Sequence, residues 1–275
     1  GANNTAVGSD ALLANTTGSN NVAVGFGSAD ALTTGNSNVA MGYNSLGSDT
    51  LGDRAVAIGL NALASQNFTS STDNYNIGIG YAAGAAVTTG LYNTLIGGLA
   101  GDAQTTADHN VALGVSTLTT NTKANKNVAI GSNALSIFNV TSDTDTYNTA
   151  VGYGAGAAVT TGVQNTLIGG LAGDALVDAH FNTAVGYQAL STDTESNYNT
   201  AIGYRALLVA NNTSSTNGYN VAVGADAGQA VTTGTLNTLI GGLAGDAITT
   251  ASNSTAVGYG SLTANTTGAS NTAVG

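Results

Sequence analysis

The chain has 275 residues, a formal net charge of −11, 39 Gly, no Pro, Cys or Trp, and only 7% charged residues. Its four cations, Arg54, Lys123, Lys126 and Arg205, are too few to neutralise a phosphate track, so nucleic acid is excluded as a partner and no contact with an anionic membrane is expected. The lack of Cys rules out disulfide frameworks and zinc–thiolate centres, while 42% apolar content argues against disorder and for small residues stacked over a long backbone ladder.

One motif, Asn-x-x-aliphatic-Gly, runs through the sequence. In chain order its anchor glycines are Gly8, Gly25, Gly42, Gly59, Gly80, Gly97, Gly114, Gly131, Gly152, Gly169, Gly186, Gly203, Gly224, Gly241, Gly258 and Gly275. Their separations cycle through 17, 17, 17 and 21 residues, a superperiod of 72. Positions are numbered below from each anchor. Position −4 is Asn in 14 of 16 units, namely Asn4, Asn21, Asn38, Asn76, Asn93, Asn110, Asn127, Asn148, Asn165, Asn182, Asn199, Asn220, Asn237 and Asn271, with Ala55 and Ser254 as the exceptions. Position −3 is always β-branched, −2 is mostly Ala, −1 is always Val, Ile, Leu or Met, and +3 is always Ala, Ser or Thr.

Five residues alternating in this way predict a short β-strand ended by a glycine turn. A strict period with one strand per unit is the signature of a β-solenoid. The expected fold is therefore all-β: a parallel β-solenoid of about 16 coils, of 17 residues with a 21-residue coil every fourth, in one segment over 1–275. The alternation puts the β-branched and aliphatic positions on one face, expected to form a narrow interior. Ala and Asn fall on the other, with the Ala face expected to pack against another chain. The Asn column has two compatible explanations: an amide ladder between stacked coils, or tolerance of left-handed backbone at the corner. The second half of each coil, as in "AVTTG" at 86–90, reads as a turn and a weaker outer strand.

Position +4 varies with the superperiod. It is Gly84, Gly101, Gly156, Gly173, Gly228 and Gly245 in the first two coils of the later blocks, and Leu46, Leu63, Leu118, Leu135, Leu190 and Leu207 in the third and fourth. Large and small residues thus alternate two by two, as complementary filling of a core requires. Every fourth coil is longer, within 65–75, 136–147 and 208–219. These Ser/Thr/Asn/Asp-rich stretches predict protruding loops, and Asn67, Phe68, Asp73, Phe138, Asp143, Asp145, Asn211 and Asn212 are the candidate partner contacts.

Chemistry is sparse. Two His, His109 and His180, fall out of phase with the 72-residue order, and Glu195 is the one Glu. No triad, no H-x-x-x-H and no cofactor motif is legible, so neither an enzyme nor a cofactor is expected. "GIGYAAG" at 78–84 spaces its glycines wrongly for a dinucleotide fingerprint. Asp102, Asp174 and Asp246 recur in register, but one carboxylate per superperiod is too few for calcium; they are expected to cap turns, and no metal site is expected. The Thr pairs raise ice binding, yet no T-x-T repeats in every coil.

The motifs "NVAVGFGSADALTTG" and "NTAVGYQAL" resemble head repeats of trimeric autotransporter adhesins of the Yersinia adhesin type, and are similar to repeats in tailed-phage fibres. The resemblance implies a left-handed parallel β-roll, three chains side by side, and surface attachment. The unit here is longer than that family's, and the 72-residue order is not part of its pattern. The expected function is a structural and adhesive fibre segment, extracellular, on a cell surface or on a virion, displaying loops to a receptor. A homotrimer is the favoured state. The alternative is a self-assembling filament or matrix protein, followed by a ligand- or ice-binding solenoid. Because the pattern is entered and left in mid-repeat, the segment is expected to belong to a longer chain.

Overall fold

The structure is a computed structural model describing residues 1–211 and 215–275. It is all-β, a parallel β-solenoid, and the described residues contain no helix. Two compact units emerge, 1–132 with 139–145 and 133–138 with 146–275, where the sequence suggests one continuous segment. The first unit contains eight ladder strands: Thr5–Val7, Val22–Val24, Val39–Met41, Val56–Ile58, Ile77–Ile79, Thr94–Ile96, Val111–Leu113 and Val128–Ile130. The second contains Thr149–Val151, Thr166–Ile168, Thr183–Val185, Thr200–Ile202, Val221–Val223, Thr238–Ile240, Thr255–Val257 and Thr272–Val274. Within each unit every strand pairs in parallel with the same strand one coil along, for example Val22 with Val39 and Thr166 with Thr183.

The second half of the coil is less regular than the expected outer strand. Among the described residues only Gly52–Asp53 with Thr72–Asp73, and Ala124–Asn125 with Thr144–Asp145, form short strand pairs there, with a lone parallel bridge between Asn197 and Asn217. Elsewhere turns and bends bond coil to coil singly, as from the Thr88 N–H to the Thr105 carbonyl (2.9 Å). The threonine hydroxyls do the same: Thr88 and Thr105 Oγ1 each donate to the carbonyl of the next coil at 3.1 Å.

Fourteen of the sixteen anchor glycines sit where a Cβ would press on the backbone of the next coil. All sixteen have φ between 121° and 139°. A Cβ on Gly97 would lie 2.3 Å from the Gly114 carbonyl oxygen, and one on Gly169 would lie 2.4 Å from that of Gly186. The coils are therefore stacked backbone on backbone at this corner.

The strand faces are the reverse of those expected. Position −2 points inward and, in every coil but the first and the last, is fully buried, as at Ala23, Ala57, Ala129, Ala184 and Ala256, while the flanking β-branched and aliphatic residues lie partly or largely exposed. The reason is parity. Positions −4, −2 and 0 share a side, and both the Asn ladder and the backbone-contact glycine belong to the interior. The interior is so shallow beneath the strand that Ala fills it. Bulk comes instead from Leu at +4, with Leu46, Leu63, Leu118, Leu135, Leu190 and Leu207 fully buried. In the second coil of the later blocks +4 is Gly, and Leu95, Leu167 and Leu239 at −2 occupy that volume: a Cβ on Gly101 would lie 2.8 Å from Leu95 Cδ2.

The Asn column is a ladder, and its main rung is to backbone. Asn21 Oδ1 accepts the Asn38 N–H at 2.9 Å, and Asn38 Nδ2 donates to the Gly52 carbonyl at 2.8 Å. The pattern repeats at Asn93 with Asn110 (3.0 Å) and at Asn165 with Asn182 (3.0 Å). Amide-to-amide bonds add to it, as from Asn127 Nδ2 to Asn110 Oδ1 at 3.1 Å. The left-handed residue is not this Asn but the one before it, whatever its type: Arg54, Tyr75, His109, Lys126 and Phe181 all have φ of 50–64°. At Ala55, where the column lacks an acceptor, Asn74 Oδ1 takes over the Asn76 N–H at 2.9 Å.

Candidate interaction surface

Reversed strand faces turn the functional question outward. Positions −5, −3, −1 and +1 share the outer side of the coil, so each coil presents four side chains in a row. In the first unit, coils five to seven present Tyr75, Ile77, Ile79 and Tyr81, then Tyr92, Thr94, Ile96 and Gly98, then His109, Val111, Leu113 and Val115. In the second unit the third and fourth coils present Phe181, Thr183, Val185 and Tyr187, then Tyr198, Thr200, Ile202 and Tyr204.

Three properties mark this strip. Its two middle columns are aliphatic or Thr and substantially exposed, as at Leu113 (43%) and Ile240 (40%). Its two borders hold every one of the 11 tyrosines: Tyr75, Tyr92, Tyr147, Tyr198 and Tyr219 at −5, and Tyr43, Tyr81, Tyr153, Tyr187, Tyr204 and Tyr259 at +1. None of the 15 acidic residues falls on any of the four columns. In a chain of net charge −11, each unit thus keeps an apolar strip free of acids.

The border rings stack on one another because successive coils place them one ladder spacing apart. Tyr75 and Tyr92 have centroids 5.8 Å apart, Phe181 and Tyr198 4.8 Å, and Tyr198 and Tyr219 5.0 Å, all nearly parallel. The Tyr92 ring leans on His109 at 4.8 Å. Two of the four cations stand in the same column, and each is matched by an acid in the following long coil. Arg54 pairs with Asp73 and also lies over the Tyr75 ring at 5.5 Å; Lys126 pairs with Asp145 at 2.5 Å. The Arg54–Asp73 pair raises the Arg54 pKa, the Asp73 charge being the largest cause. The corresponding pair in the next block is Tyr198 and Asn217, uncharged on both sides.

The loop residues divide. Asn67, Asp73, Asp143, Asp145 and Asn211 are exposed, whereas Phe68 (5%) and Phe138 (0%) are buried. The two phenylalanines fill the core beneath the long coils and are not available as contacts, which corrects the expectation for both. Asn212 lies outside the described residues. Asp143 accepts a hydrogen bond from the Thr106 hydroxyl at 2.6 Å.

The recurring Asp residues are half-sunk beside the coil. The Asp174 carboxylate accepts from Ser191 Oγ at 2.5 Å. Burial raises the Asp102 pKa, opposed by the Thr119 hydroxyl and by backbone N–H groups of Asp102 and Ala103. Asp49 is fully enclosed, accepting from Gln66 Nε2 at 2.7 Å and from the Gly52 N–H at 3.0 Å; burial is the largest cause of its raised pKa. His180 Nδ1 accepts the Val163 N–H at 3.1 Å, which fixes its proton on Nε2 when neutral.

Among the described residues there is no pocket and no group of three metal-ligating side chains, and no helix is long and apolar enough to cross a membrane. The chemistry that this surface offers is apolar contact framed by aromatic rings. No protein-family model matches the chain, and a search of curated proteins finds no match to it.

Proposed function

We propose that this chain is a structural and adhesive fibre segment whose copies pack side by side through the acid-free strip, as a homotrimer outside the cell or on a virion. The observation that carries the reading is the coincidence of three things on the same face of each unit: exposed aliphatic columns, that unit's tyrosines, and no acid. Tyr at the border of an apolar centre is the composition of a protein interface. Charge selects a second copy as the occupant. Two chains of net charge −11 repel wherever their acids meet, and this strip is where they do not.

The size is sufficient. Four outward columns span roughly 20 Å, and eight coils at ~4.8 Å rise cover ~38 Å, so one unit offers roughly 800 Å², about one partner's share of a standard interface. The resemblance to adhesin head repeats supports three copies, with the aliphatic columns at the contact where the sequence alone suggested Ala.

The test is mass in solution by sedimentation, on the wild type and on the pair Ile79→Glu and Ile202→Glu. The expected result is a trimer that falls to a folded monomer in the double variant. End-to-end polymers insensitive to these changes support the filament reading instead. A monomeric wild type overturns both.

A further inference from the structure

The three long coils carry a feature independent of the strip. The triplets Asn67-Phe68-Thr69, Asn139-Val140-Thr141 and Asn211-Asn212-Thr213 stand 72 residues apart, one in each loop, with the middle residue changing and the outer two retained. Asn-x-Thr is the acceptor sequence for N-linked glycans. In a chain this rich in Asn and Thr the triplet also arises without meaning: Asn3, Asn15, Asn212, Asn253 and Asn265 begin five more that read Asn-x-Ser or Asn-x-Thr. Geometry separates the two sets.

At the loop positions the amide oxygen is tied back to the preceding coil by a threonine that itself recurs every 72 residues. Asn67 Oδ1 accepts from the Thr50 hydroxyl at 3.0 Å, Asn139 Oδ1 from the Thr122 hydroxyl at 2.8 Å, and Asn211 Oδ1 from the Thr194 hydroxyl at 3.2 Å. All three Asn are exposed. With Oδ1 turned to the coil, Nδ2 faces away from it, and in Asn67 and Asn139 it donates to no described residue. Most of the others are engaged or enclosed. Asn15 Nδ2 is buried, Asn265 Nδ2 donates to the Gly268 carbonyl at 2.8 Å, and Asn3 Nδ2 donates to Asn20 Oδ1 at 3.3 Å. Asn3 and Asn253 also stand in the −5 column of the strip, where a bulky group opposes assembly.

We propose that Asn67 and Asn139 are acceptor sites for N-linked glycans, one on each of the two long coils of the first unit. The inference rests on the reading that the segment is exported. The donor class is an activated sugar diphosphate presented by a glycosyltransferase. The Asn Nδ2 attacks the anomeric carbon, a C–N bond forms, and the bond from that carbon to the phosphate oxygen breaks. Diphosphate leaves with the electron pair, and the amide proton passes to a base on the transferase. Asn67 and Asn139, both in the first unit and four coils apart, place two glycans ~19 Å from one another, on a corner of the coil other than the strip.

The experiment is secretion of the chain, behind a signal peptide, from cells whose oligosaccharyltransferase reads Asn-x-[Ser/Thr]. Intact mass and glycopeptide mapping then locate each glycan. Glycans at Asn67 and Asn139 are expected. Thr69→Ala is expected to remove the first alone while leaving the Asn67 side chain in place. A secreted, folded chain without sugar at these positions, or one modified instead at Asn15 or Asn265, overturns the proposal. Sedimentation of the same material keeps the two readings apart. A glycosylated monomer counts against self-association only, and an unmodified trimer against the acceptor sites only.

Discussion

The second and third coils of the second block, which begin at Asn93 and Asn110, have the same cross-section and fill it from opposite sides. In the second coil Leu95 projects from the strand and Gly101 stands at the corner; in the third, Ala112 is on the strand and Leu118 at the corner, with Leu95, Ala112 and Leu118 all fully buried. One leucine and one small residue serve each of these two coils. The comparison teaches that the solenoid preserves interior volume rather than any residue at a position, and that the 72-residue order is a packing order.

The hardest break is at the part both coils share. Gly97→Ala sets a Cβ against the Gly114 carbonyl at a φ of 132°, and should cost more than ~3 kcal/mol in denaturant unfolding. Gly98→Ala, one residue along, has no neighbour within 4 Å of its Cβ and should cost less than ~1 kcal/mol. Equal losses at the two sites would mean that the stacked corner does not set the stability of the coil.

The comparison itself is tested by exchanging the two fillings. Leu95→Ala alone should cost ~2–5 kcal/mol, as a large-to-small change in a packed core does. Gly101→Leu alone should also destabilise, by ~1–3 kcal/mol, because the new side chain meets Leu95. The double variant rebuilds the third-coil arrangement within the second coil, so it should recover at least half of the summed loss. Strictly additive losses would refute shared volume.

The smallest effect concerns the buried acid at +7 of the third coil. The equivalent positions in successive blocks are Asp49, Asn121, Asp193 and Asn265. Burial raises the Asp49 pKa above 3.8, so the folded chain holds that proton more tightly than the unfolded chain does. Stability contributed by the neutral form is therefore lost as pH rises from 3.8 through the raised value, and the deficit stays constant above it. Asp49→Asn should flatten this part of the stability–pH curve, read from denaturation midpoints at a series of pH values; an unchanged curve would assign the dependence to other groups.

The coil period, the strand positions and the anchor glycines were legible because each depends on a strict local pattern. The direction of the strand was not. Two-residue alternation identifies two faces but not which is inside, and the larger side chains of Val and Ile pointed to the wrong one. A signal was nonetheless present: Leu95, Leu167 and Leu239 occur where +4 is Gly, while Ala occurs at −2 where +4 is Leu. Such compensation requires both positions to share the core. The left-handed residue at −5 left no trace, since Arg, Tyr, His, Lys and Phe all occupy it. The loop phenylalanines misled for a different reason: a polar stretch can still carry one anchor side chain into the interior.

Those left-handed residues have a consequence for how the molecule forms. Positions −5, +2 and +4 recur at positive φ, giving 37 non-glycine residues in that conformation among the described residues. Each carries a local cost of ~1–2 kcal/mol, and a coil on its own has no rung above or below to offset it. Nucleation of the first few coils is accordingly the uphill step. Every later coil is templated by a finished neighbour that already presents the Asn oxygen, the glycine carbonyl and the leucine cavity it needs. Folding should then advance as a growing front, and loss of structure should begin as fraying at a free end.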